Sequence, residues 1–267
     1  MGNRGKRRGS AYERISPLVS PSMERLREIQ KRLADFREVG LALILFYVLN
    51  LALFAAIRTR PDLLEYLSLS PQRPWGIVTS VFVHQEFFGH LFGNLLFFGF
   101  YCVAFVVTNW PCDAETRRFS SKLFLWLVFL SGFLANTIVF FRWPGGKQAF
   151  GASGVVYAAV GAWLASLPFG LASLPGYWKE TGSMGKLIPV VIALLAAAIT
   201  GSLISDPRGF LNAAPEVNVY AHAWGFSIGL ILFIVVFLVR SLRIMKFWGK
   251  LRREGLWTWQ RQFSAFT

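Results

Sequence analysis

The chain has 267 residues, of which 54% are hydrophobic and only 16% charged, and its mean hydropathy is +0.47. The apolar residues gather into long runs, which excludes an ordinary soluble domain and reads as a membrane-spanning protein in contact with the lipid bilayer. The net charge of +14 reads as the Lys and Arg excess of cytoplasmic segments, and no separate basic domain stands apart from the apolar runs to suggest a nucleic-acid partner.

Residues 1–38 form a basic N-terminal segment. No secretory signal peptide is expected, because the first apolar run begins near Val39 and no small-residue cleavage site follows it. The start Met1-Gly2-Asn3-Arg4-Gly5-Lys6 lacks the Ser or Thr of a myristoylation site. The stretch before about Ser22 reads as disordered. After it, Met23, Leu26, Ile29, Leu33 and Phe36 recur at helical spacing among charged residues, which predicts a short amphipathic helix on the membrane surface.

Six apolar stretches follow, over 39–57, 87–108, 123–141, 151–167, 187–205 and 219–239. Each is close to the ~20 residues needed to cross ~30 Å of hydrocarbon. All are expected to be helices, since a sheet edge cannot be satisfied in lipid. Phe and Trp cluster near the ends of these runs, as in an interfacial aromatic belt. The predicted organisation is an all-α, six-helix membrane domain over 39–239, followed by a basic tail over 240–267. Of the 28 Lys and Arg, 22 fall in the N-terminal segment, the tail and the two loops on their side of the membrane. That asymmetry predicts that both termini are cytoplasmic. The connection from Arg58 to Val83 is the longest between spans, and its length suggests a functional or partly embedded loop. The two cysteines, Cys102 in a span and Cys112 in a loop, make neither a disulfide framework nor a zinc cluster.

Polar side chains inside spans are costly and each raises a functional question. His90 and Asn94 lie early in the second span, Ser153 opens the fourth, and His222 lies early in the sixth. All three spans enter from the extracytoplasmic side, so at 1.5 Å per residue these four residues share one depth within roughly 5–10 Å. Gly151-Ala152-Ser153-Gly154 marks a loop becoming a helix, preceded by Gly145-Gly146 for a tight turn. A serine there has free backbone N–H groups and a helix dipole beside it, which suit an oxyanion, although small residues at a helix start also serve packing alone. Gly225 and Gly229 after His222 form a GxxxG face, and span four offers Gly154, Ala158, Gly161 and Ala162 against it. Close packing of the two faces would let His222 act as a base toward Ser153, while a structural histidine bonded to backbone fits the same position. His90 and Asn94 share a helix face and both can donate to an oxyanion. Gly89 and Gly93 form a further GxxxG, read as a packing face. Tyr157, one turn after Ser153, either packs against His222 or is an ordinary packed tyrosine. Three histidines without a placed carboxylate or thiolate fit a metal site poorly, so no metal and no cofactor are expected.

Together, His90-Leu91-Phe92-Gly93-Asn94, Gly151-Ala152-Ser153-Gly154-Val155-Val156-Tyr157, and Ala221-His222 followed by Gly225 and Gly229 resemble the rhomboid family of intramembrane serine proteases. The resemblance covers roughly Val39 to Val239. It implies that Ser153 is the nucleophile and His222 the base of a dyad, with Tyr157 stacked on His222. His90 and Asn94 would line the oxyanion site with the Ser153 backbone N–H and Gly151, while Gly154 and Gly225 support the packing. It also implies transmembrane protein substrates cut toward the extracytoplasmic side. The chain departs from the family in its first loop, where many members carry a Trp-Arg pair and this sequence reads Gln72-Arg73-Pro74-Trp75-Gly76. Two other classes share some features: a non-catalytic escort of membrane clients, disfavoured by retention of both Ser153 and His222, and a transporter, disfavoured by polar residues that cluster toward one face rather than the midplane.

Overall fold

The computed structural model describes residues 21–142, 149–181, 187–211 and 219–253. The expected disorder before Ser22, the Gly145-Gly146 turn and the last part of the basic tail lie outside them. The described chain is all-α. Helix α1 spans Pro21–Ala34 and α2 Arg37–Thr59. The loop that follows carries α3 (Asp62–Leu67), α4 (Gly76–Thr79) and a 3-10 turn at Ser80–Phe82. A π-turn at Phe87–Leu91 leads into α5 (Phe92–Asn109). Helices α6 (Ala114–Phe141), α7 (Ser153–Thr181), α8 (Leu187–Ser205), α9 (Pro207–Phe210) and α10 (Val219–Arg253) complete the order.

Among the described residues, five helices are long and apolar enough to cross a membrane: α2, the π-turn with α5, α6, α7 and α10. The remaining expected span, α8, has a shorter apolar stretch at Val190–Ser205. Helix α7 is the axis of the bundle, packed by α5, α6 and α10, and it is the most buried of the spans. Its inner face is built of small residues, with Ala158, Ala159, Ala162 and Ala165 buried beside the large Trp163.

Three helices run further than their apolar stretches. Helix α6 starts at Ala114 because the Asp113 carboxylate accepts the Thr116 N–H at 2.9 Å and its hydroxyl at 2.7 Å, a side-chain cap of the first turn. Helix α7 continues to Thr181 through Pro168 and Pro175, although proline removes a helix hydrogen bond and disfavours the turn before it. Tertiary contacts override that penalty. Trp163 Nε1 donates to Thr108 Oγ1 at 2.8 Å, Asn109 Nδ2 donates to Ser166 Oγ at 3.2 Å, and Gly170 seats against the Thr108 carbonyl. Helix α10 passes residue 239 without a break and ends at Arg253.

The amphipathic helix is present as α1, with Met23, Leu26, Ile29 and Leu33 exposed. Phe36 instead turns inward and stacks on Trp110, with ring centroids 6.3 Å apart. Asp35 is buried against Arg117 of α6, at 2.7 Å and 3.0 Å, which ties the α1–α2 junction to the bundle.

The long first loop is a folded piece. Arg73 bonds the carboxylate and backbone carbonyl of Glu65, and Trp75 Nε1 donates to the Tyr66 carbonyl at 2.8 Å. Arg73 and Trp75 therefore both fasten the loop onto α3. Gly76 lies so close to Leu69 that a Cβ would come within 2.6 Å of its Cα. Leu69 in turn pairs with Ala149 through two backbone hydrogen bonds, Leu69 N–H to Ala149 at 2.8 Å and Ala149 N–H to Leu69 at 3.1 Å.

Candidate active site

The segment that delivers Ser153 is clamped before its helix begins. Beyond the Leu69–Ala149 pair, the Gly151 N–H donates to the Ser80 carbonyl at 2.9 Å. Ser80 is itself held by α6, because Asn136 Nδ2 donates to Ser80 Oγ and to the Ile77 carbonyl, both at 3.1 Å. Gly151 has φ +121°, a conformation side chains rarely adopt, and a Cβ there would sit 2.5 Å from His90 Nε2. Glycine is thus required twice, for the turn and for the close approach of His90.

Ser153 is the first residue of α7 and is half-buried. The N–H groups of Val155 and Val156 both turn back to the Ala152 carbonyl, at 3.0 Å and 3.1 Å. No hydrogen bond among the described residues takes up the Ser153 or Gly154 N–H. These are the unpaired donors of a helix start, where the dipole favours negative charge.

His222 lies in the first turn of α10 and is buried. Its Nδ1 is 2.6 Å from the Leu211 carbonyl. A carbonyl only accepts, so Nδ1 carries the proton and Nε2 is left with the lone pair. Tyr157 stacks on the imidazole, with centroids 4.4 Å apart and planes 21° apart, and its hydroxyl donates to the Phe210 carbonyl. Of the two roles open to Tyr157, the structure shows the stacked one.

The small faces of α7 and α10 meet. A Cβ on Gly225 would strike the Gly154 carbonyl, one on Gly161 the Phe226 carbonyl, and one on Gly229 the Ala158 carbonyl at 2.5 Å. A Cβ on Gly154 would lie at ordinary contact, 3.5 Å, from the Ala221 carbonyl. The neighbours of Ser153 thus touch the neighbours of His222, and Tyr157 bridges one turn further on. No hydrogen bond joins Ser153 to His222 in this state.

His90 sits in the π-turn, where the Leu91 N–H reaches back to the Glu86 carbonyl at 3.1 Å. Its ring lies against Gly151, 6.1 Å from the Phe150 ring and 4.8 Å from His84. Asn94 is buried, and its Nδ2 donates to the His90 carbonyl at 3.0 Å and to His84 Nε2 at 3.1 Å. Both its hydrogens are therefore committed. Gly93, read as part of a packing face, has open space where a Cβ would stand, and Gly89 meets only the Glu86 side chain. That second GxxxG seats no helix among the described residues.

His84 stands just before the π-turn, in the segment that leads into α5. It is fully buried, and its Nε2 faces two donors, Asn94 and the Ala152 N–H at 3.3 Å. Burial, with a smaller push from His90, takes its imidazole down to about 3. It stays neutral, and Nε2 keeps the lone pair that both donors need. A histidine just outside a span is a visible signal, but its partners come from two distant segments. The Leu211 carbonyl carries no sequence signal at all, since every residue has one.

Residues 71–239 match the family model described as Rhomboid domain. No curated protein and no solved structure matches the chain. The family match spans more than half of the sequence and includes α5 to α9 and the part of α10 that carries His222. The chain belongs to the rhomboid family, which is known for intramembrane serine proteases.

Proposed function

We infer that the protein is an intramembrane serine endopeptidase in which Ser153 is the nucleophile and His222 the general base. The observation that carries this reading is the state of His222. It is buried, stacked on Tyr157, and fixed by the Leu211 carbonyl with its basic Nε2 free, on a helix that packs glycine-to-glycine onto the turn bearing Ser153. In a serine protease triad an acid holds the histidine tautomer. Here a backbone carbonyl does so without adding a buried charge.

In the reaction, Ser153 Oγ attacks the scissile carbonyl carbon as its proton passes to His222 Nε2. The carbonyl oxygen becomes an oxyanion, received by the Ser153 N–H at the positive end of α7 and by His90 beside Gly151. Asn94 joins that site only by releasing one of its two present hydrogen bonds. Collapse breaks the C–N bond, and the Nε2 proton goes to the leaving amine. Water, deprotonated by His222, then attacks the acyl-enzyme ester, and the proton returns to Ser153 Oγ as the acid product leaves. The substrates proposed are transmembrane helices. Both termini would face the cytoplasm, with the site opening to the extracytoplasmic side.

The test is Ser153→Ala in liposomes with a model transmembrane substrate. Cleavage and labelling by a serine-directed fluorophosphonate should both vanish, a fall of ~10⁶ in kcat by analogy with soluble serine proteases. Unchanged cleavage would remove Ser153 from the mechanism.

A further inference from the structure

We propose that Asp206, remote from the chemistry, is a positioning residue for the base, acting through the two carbonyls at the end of α9. This deepens the Ser153–His222 reading and rests on it. Asp206 stands between two helices. Its N–H closes α8 on the Ser202 carbonyl at 3.0 Å, and its carboxylate Oδ1 caps α9 by accepting the Gly209 N–H at 2.9 Å. Its own carbonyl accepts the Phe210 N–H at 2.9 Å, and the Pro207 carbonyl accepts the Leu211 N–H at 3.0 Å. A Cβ on Gly209 would collide with the carboxylate, so the cap is tightly seated.

Two successive carbonyls emerge from this single turn, and both are used. The Phe210 carbonyl takes the Tyr157 hydroxyl, and the Leu211 carbonyl takes His222 Nδ1. The Phe210 ring stands edge-on to Tyr157 and to Phe226, at 5.6 Å and 5.7 Å. The base and the ring stacked on it thus hang from one four-residue helix. A helix that short has no cooperative stability of its own, so its geometry depends on the cap and on its tertiary contacts. Without the cap, the Leu211 carbonyl is no longer held opposite Nδ1. The imidazole can then place its proton on Nε2, the tautomer that cannot accept from Ser153.

Asp206 itself is exposed, so its alternative role is as a surface charge facing the substrate. Asparagine separates the two, since it caps as well as aspartate and carries no charge. With the full-length protein in liposomes, Asp206→Ala should lower kcat and the fluorophosphonate labelling rate about tenfold at nearly unchanged KM. Asp206→Asn should restore both to within about twofold. The ¹⁵N spectrum of histidine-labelled protein should show His222 as the Nδ1–H tautomer in the wild type and as a tautomer mixture in Asp206→Ala. Tyr157→Phe keeps the ring and the cap but cuts the tie to Phe210, and should slow labelling severalfold; it decides the matter if Asp206→Ala fails to fold. Wild-type labelling in Asp206→Ala, equal losses in Ala and Asn, or full labelling in a Tyr157→Phe protein would overturn the proposal. Ser153→Ala run in parallel keeps the readings apart: a labelled Ser153→Ala refutes the dyad, whereas an unlabelled one beside an unaffected Asp206→Ala refutes only the positioning role.

Discussion

His84 makes no contact in the proposed reaction, yet it joins two parts of the site. Its neutral imidazole accepts from Asn94 and from the Ala152 N–H, so it ties span two to the turn before Ser153. Removing the acceptor leaves both buried donors unpaired, at a cost of ~1–3 kcal/mol. His84→Ala should therefore lower the melting temperature in detergent and reduce activity, and His84→Gln, which offers a carbonyl, should recover part of both. The sign of the pH effect follows from the depressed value of about 3. The unfolded chain protonates His84 near ~6.5 while the folded chain does not, so stability is held above that pH and falls as the pH drops toward 3. Melting temperatures compared at pH 7.5 and pH 5 should show a shallower fall for His84→Gln than for the wild type.

Among the helices, the α7–α10 contact sets the geometry of the site. A Cβ on Gly225 meets the Gly154 carbonyl and comes within 3.1 Å of the Gly154 Cα, both backbone atoms that cannot rotate away. Gly225→Ala should push the helices apart at a cost of ~1–3 kcal/mol and cut kcat at least tenfold. Gly93→Ala, with open space around it, should leave the melting temperature within about a degree. The pair shows how far a pattern can be read. GxxxG states that a helix can be approached, and both pairs satisfied it; the partner helix, which sequence spacing does not specify, decided which was used. The span positions, the Ser153 helix start and the small face of α7 were legible because each is a local pattern. The continuation of α7 through Pro168 and Pro175 was not, because it depends on Thr108 and Asn109 from another helix. The π-turn that carries His90 and the carbonyls of α9 were hidden for a different reason: their roles arise in backbone geometry rather than in residue type.

At the scale of the molecule, the two ends of the bundle are stabilised by different chemistry. The Ser153 end uses backbone pairing and neutral polar groups in its interior and keeps its charged fastenings, the Arg73–Glu65 pair and the Asp206 cap, toward the surface. The opposite end buries charge: Arg117 bonds Asp35 and the Cys112 carbonyl, and Ser121 Oγ donates to Glu38 at 3.1 Å. Breaking one partner of a buried ion pair strands the other, at ~3–5 kcal/mol. Arg117→Met and Asp35→Leu should each lower the melting temperature markedly, and the double variant should regain most of the loss. Fluorophosphonate labelling at low temperature should be close to wild type in all three, since none touches the turn that bears Ser153.

The Leu69–Ala149 pair alters what the first loop can tolerate. Surface loops between spans are the usual places to insert an epitope, a fluorophore or a protease site. Here the stretch from Leu69 to Ser80 is one wall of the cradle that presents the serine. An insertion there should disturb the proposed active site in a protein that is otherwise well folded. Reporters for this chain belong before α1 or after α10, and natural variation within that stretch should be scored with the site rather than with the surface.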